Sequence, residues 1–85
     1  MHGDGLRAAI DQLDEELAAA SLDPATRERV RSALCELHAA LEGDHAPEGR
    51  HRDTFFELVG HFAEEHPALS AALGRVVDAL ARLGI

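Results

Sequence analysis

The chain has no tryptophan, no tyrosine and no lysine, and its only cysteine is Cys35. Three phenylalanines are its whole aromatic content, so stacking platforms for bases or sugars are nearly missing. One cysteine excludes an internal disulfide, and a lone thiol fits a reducing cytoplasm better than an oxidising compartment. No run approaches the length of about 18 apolar residues that a membrane helix requires. The first residues lack the basic-then-apolar pattern of a signal peptide. Positive charge is scarce: 8 basic residues, all arginine, face 16 acidic ones, for a net charge of −8. A field of that sign repels nucleic acid and anionic lipid, so neither a nucleic-acid nor a membrane partner is expected. Arginine without lysine, together with abundant alanine, suggests a GC-rich bacterial genome.

What remains is helical. With 85 residues the chain makes a single domain, 1–85, and one this small needs regular packing or a partner to be stable. Asp4 is a candidate N-cap for a first helix over about 5–20. There Leu6, Ile10, Leu13 and Leu17 fall on one stripe, with Asp11, Asp14 and Glu15 pointing away. Asp23-Pro24 opens a second helix over 24–42, with the cap on Asp and Pro at the first helical position. Val30, Leu34, Leu37 and Leu41 form its stripe, and Gly43 reads as its left-handed terminator. The short link predicts an antiparallel hairpin of these two helices.

Residues 43–52 read as a polar surface loop. Thr54 and Glu57 match a capping box, which starts a third helix near 54 and runs it to about 65. From there Phe55, Val59, Phe62, His66, Leu69, Leu73, Val76, Leu80 and Leu83 follow alternating spacings of four and three. Kept up over about four heptads, this is a coiled-coil-like core or interface stripe, and it passes straight through Pro67. Proline inside a helix removes a donor and clashes with the preceding turn. His66-Pro67 is therefore a joint between pieces at about 54–65 and 67–83. Because the phase is unchanged, the two pieces are expected to run roughly end to end. Gly84 and Ile85 suit a Schellman cap.

The stretch His61-Phe62-Ala63-Glu64-Glu65-His66-Pro67 invites a metal reading. Histidines five apart stand about 140° around a helix, on different faces, and do not share an ion. Glu57, His61 and Glu65 stand four apart, which reads as a solvated charge ladder. His66 sits on the stripe. It reads as a joint or core-edge residue, or in a sharper version as a register-setting or pH-sensing group. His45 and His51 flank the loop without a fixed geometry. Cys35 should be exposed and inert. Arg27, Arg29 and Arg31 read as a solvated helix start. No phosphate loop, catalytic triad or dinucleotide fingerprint occurs, so no catalytic, cofactor-binding or metal residue and no cofactor is assigned.

Residues 62–69 (Phe-Ala-Glu-Glu-His-Pro-Ala-Leu) and 78–85 (Asp-Ala-Leu-Ala-Arg-Leu-Gly-Ile) resemble a bacterial family of short proteins known only as a domain of unknown function. Leu13-Asp14-Glu15-Glu16-Leu17 and Leu22-Asp23-Pro24 are similar to it as well. That family usually ends Met-Gly-Ile, where this chain has Leu83, a volume-conserving change. The resemblance implies a small helical cytoplasmic protein, and it brings no activity or catalytic residue.

The sequence thus predicts an all-α protein: a helical hairpin plus a longer C-terminal helix kinked or broken at His66-Pro67, as a coiled-coil-like small bundle. The hairpin is too short to cover an extended last helix, so a homodimer is expected, with an unidentified protein as a further partner. The function expected is that of an oligomeric interaction, scaffold or regulatory protein, not an enzyme. The alternatives are a metal- or pH-responsive protein using His61, His66 and the loop histidines, and a small enzyme.

Overall fold

The computed structural model describes residues 4–43 and 48–85, and those residues form an all-α bundle. Four helices follow one another: α1 Asp4–Ala19, α2 Pro24–Glu42, α3 Gly49–Phe62 and α4 Pro67–Arg82. The helix begins at Asp4 itself, and the cap expected of that side chain lies outside the described residues. α2 starts as its sequence demands. Asp23 is the N-cap, its carboxylate accepts from the Thr26 N–H at 3.1 Å, and Pro24 occupies the first turn.

Three local expectations need correction. Gly43 is extended, at φ −89° and ψ −169°, and not left-handed; its N–H ends the helix by donating to the Ala39 carbonyl. α3 begins about a turn earlier than the Thr54–Glu57 pattern indicates. Thr54 lies inside the helix and donates back to the Arg50 carbonyl at 2.9 Å. The first turn is closed by His51, whose Nδ1 accepts from the Glu48 N–H at 2.8 Å. That acceptor must carry no proton, so the neutral ring holds its hydrogen on Nε2. A histidine thus stands where the capping box usually has glutamate or glutamine, and it is buried.

The third correction concerns the chain's path. The helix is broken at His66-Pro67, as the proline dictates, but the two pieces do not run end to end. α4 turns back and packs along α3. Ser70 Oγ donates to the Val59 carbonyl at 2.8 Å, and Arg52 Nη1 donates to the main-chain oxygen of Ile85 at 2.7 Å. Those two bonds tie opposite ends of α4 to opposite ends of α3, which makes the pair antiparallel. A straight rod over the expected span 54–83, 30 residues, would be about 45 Å long. The longest extent of the molecule is 33 Å.

α4 packs closely on α1 as well as α3, and α2 packs on α3. α1 and α2 run antiparallel but approach less closely. They are joined by Arg27, which donates to the Leu17 and Ala20 carbonyls at 2.6 Å each. The result is an up-down-up-down four-helix bundle. Its core gathers one stripe per helix, among them Leu13 and Ile10 of α1, Val30 and Leu37 of α2, Phe55 of α3 and Leu73 of α4. The chain ends in the expected Schellman cap. Gly84 has φ +88°, its N–H reaches the Ala81 carbonyl, and the Ile85 N–H reaches that of Leu80.

Candidate functional site

The stripe from Phe55 to Leu83 lies inside the chain. Phe55, Phe62, Leu69, Leu73, Val76 and Leu80 are buried, while Val59, His66 and Leu83 are half-buried at its edges. Reversal at Pro67 turns the α3 and α4 halves of the stripe towards each other. No long uncovered seam is therefore left among the described residues for a second copy to cover.

The turn between α3 and α4 meets the turn between α1 and α2 at one end of the bundle. There an open pocket of about 460 Å³ is lined by Asp23, Thr26, His61, Glu64, Glu65 and His66, among others. His66 is the N-cap residue of α4, with no side-chain bond to that helix. Its ring stands edge-on to Phe62 at 5.9 Å, and that of His61 stands edge-on to the same ring at 4.9 Å. Both imidazoles thus pack on the Phe62 ring. Thr26 Oγ1, followed by the Thr26 N–H, holds the Asp23 carboxyl below its usual range. His51 lies at the opposite end of α3, and His45 is outside the described residues. No three His, Cys, Asp or Glu side chains converge as a metal site among the described residues. Cys35 is exposed in an open groove between α1 and α2, with Arg31 and His38 nearby. Arg29 and Arg31 are exposed, as read from the sequence; Arg27 is half-buried as a cap for α1, which the local charge pattern did not reveal.

One surface feature was not singled out from sequence. Phe56 is 67% exposed, the one large apolar side chain so exposed among the described residues. It lies about 100° around α3 from Phe55, just outside the core stripe. The Ser70–Val59 bond fixes which sides of α3 and α4 face each other. Phe56 points outward from α3, away from the Phe55 and Phe62 side chains that fill the core. Val59 and Val77 are half-buried and pack against the core. A side chain added at Gly60 or Gly74 would meet nothing within 4 Å. The fold does not need glycine at either place, although glycine inside a helix costs about 1 kcal/mol relative to alanine. The signal was available in the sequence as Phe55-Phe56, since Phe56 lies about 100° off the stripe of Phe55, Val59 and Phe62.

The surrounding surface carries charge of both signs. Asp53 and Glu57 are exposed on α3 and Asp78 on α4. Arg52 is engaged with Ile85 and lies 3.7 Å from Asp53, Arg50 is exposed one turn before Asp53, and Arg75 and Arg82 flank Asp78 along α4. Between α4 and α1 an open groove of about 540 Å³ has a floor that includes Ala8, Ala9 and Ala79, with Arg75, Asp78 and Arg82 at its wall.

No helix among the described residues is long and apolar enough to cross a membrane. Neither a search of curated proteins nor one of solved structures found a match. The model of the family described as "Domain of unknown function (DUF4404)" matches residues 6–85, nearly the whole chain, and this protein belongs to that family.

Proposed function

We propose that this protein is a small interaction module without catalytic chemistry. It serves as a scaffold, adaptor or regulatory subunit and works in the cytoplasm, where an exposed thiol such as Cys35 stays reduced. The observation that carries the reading is the exposed ring of Phe56. The core is complete without it, and a polar residue at that position would cost the fold nothing. A large aromatic side chain held in water instead of in the core is of the residue type enriched at protein interfaces.

The homodimer expected from sequence rested on an uncovered stripe. Reversal at Pro67 covers that stripe, so the reading shifts from a second copy to another protein. Light scattering should give the single-chain mass of 9.1 kDa at micromolar concentration. Affinity capture from the native host, with the tag at either end in turn, should enrich one protein in comparable amount over a tag-only control. Enrichment no different from that control in both orientations would sink the module reading.

A further inference from the structure

We infer that His51 is a pH-sensitive latch, which locks the first turn of α3 while its ring is neutral and releases that turn when the ring takes a proton. The inference is independent of the interaction-module reading. Its basis is the direction of one hydrogen bond. Nδ1 of His51 accepts from the Glu48 N–H at 2.8 Å, so the single hydrogen of the ring is on Nε2. A second proton can enter only at Nδ1, where the lone pair is already engaged. An imidazolium donates from both nitrogens and accepts at neither, so the proton and the cap exclude each other. A charged ring would also stand, buried, at the positive end of the α3 dipole. Loss of the bond and burial of the charge both drive the protonated ring outwards.

Release reaches beyond that bond. His51 stands one turn before Phe55 on the same side of α3, and Phe55 is wholly buried. The opened turn also carries Arg52, whose bond to Ile85 ties the start of α3 to the residues that end α4. Among the described residues no carboxylate pairs with the ring to hold it in place once charged. Glu48 is paired with Arg50 at 2.8 Å, and Asp53 lies 3.7 Å from Arg52. From α2, His38 and Glu42 line a groove with Arg7 and Asp11 of α1. From α4, Asp78 lines the α1–α4 groove with Arg75 and Arg82. Asp44 and His45 precede the turn in sequence and lie outside the described residues, so the test includes both.

The test is amide hydrogen exchange by NMR on the full chain at pH 7.5 and pH 5.5, with each rate divided by that of the unstructured chain at the same pH. A ring released into water takes its proton at the ordinary imidazole value of about 6.5, so opening gains about tenfold between the two conditions. Protection of the Glu48 and His51 amides should therefore fall about tenfold, and that of the Gly84 and Ile85 amides should fall with it. The Leu34 and Leu37 amides of α2 should change by less than about twofold. His51→Gln keeps a capping acceptor that does not titrate, and it should hold all of these within about twofold. The pair Asp44→Asn and His45→Gln should leave the tenfold fall in place. The ring nitrogens of the parent provide a reading that needs no variant. At pH 7.5 Nδ1 should resonate as a bare nitrogen and Nε2 as an N–H, and Nδ1 should gain its proton as protection is lost.

The inference is overturned if protection at Glu48 and His51 is the same at both pH values, or if His51→Gln shows the parent's fall. It is overturned equally if the loop variant abolishes that fall, if the α2 amides fall in parallel, or if Nδ1 carries the proton at pH 7.5.

Discussion

Arg27 offers the sharpest quantitative test of the fold. α1 ends at Ala19 with no basic residue in its last turn, and its terminal carbonyls are served from α2. The perturbation is Arg27→Met, which keeps an apolar stem against the core edge and removes both bonds. Hydrogen bonds from a charged group contribute about 1.5–3 kcal/mol each when buried. Arg27 is only half-buried, so solvent competes and about 1–2 kcal/mol for the pair is the better figure. An opposing effect exists. Arg27 sits in the second turn of α2, where a positive charge faces the positive end of the helix dipole. Its removal should return about 0.3–0.5 kcal/mol. The bonds win, and a net loss of about 1 kcal/mol is expected. Arg29 is the control, because it shares the dipole position, is exposed and makes none of these bonds; Arg29→Met should be neutral or slightly stabilising. Urea unfolding followed at 222 nm reads both variants without an aromatic probe. With a slope of about 1 kcal/mol per molar urea, the two midpoints should differ by about 1 M or more. Equal midpoints would refute the claim that α2 caps α1 across the hairpin.

Three other outcomes follow from the same structure. Leu73 is wholly buried, and Leu73→Ala should cost about 2–5 kcal/mol, a large part of the stability of a chain this size; a loss below about 1 kcal/mol in urea unfolding would remove Leu73 from the core. Gly60→Ala should stabilise by about 0.5–1 kcal/mol, since the added methyl meets open space in a helix. Gly84→Ala should destabilise by about 1 kcal/mol, because φ is +88° there; thermal melts that shift in the same direction would refute the two assignments. Asp23 has its folded pKa lowered by Thr26, so its cap contributes stability that is present above the unfolded value near 3.8 and is lost as pH falls through the folded value. Asp23→Asn keeps a capping oxygen and should flatten that stretch of the acid titration, as read by melting temperature between pH 5 and pH 2; an unchanged acid profile would mean that the cap does not form in solution.

Much of the helical content was legible because it is local. The Asp23-Pro24 start and the Gly84-Ile85 end are fixed by a few adjacent residues, and each appears where its chemistry places it. The start of α3 misled because two capping patterns compete. Thr54 with Glu57 has the familiar residue types, yet Glu48 with His51 won, and only the buried placement of His51 makes that choice visible. Of the candidate face, Phe56 could have been found from its neighbour Phe55.

The sequence by itself determined that the chain is helical, where α2 starts and α4 ends, that the chain breaks at Pro67, and which residues are apolar on each stripe. These depend on caps, proline geometry and the 3.6-residue period, none of which needs a distant contact. Only the tertiary structure decided the direction after the break. The link from Ala63 to His66 is four residues long, about one helical turn, so the four-three spacing reads the same whether the chain continues or folds back. Folding back buries both halves of the stripe within one chain, whereas continuing would leave the α4 half in water. That difference lies in contacts such as Ser70 to Val59 and Arg52 to Ile85, between residues 11 and 33 positions apart, and no local pattern encodes it.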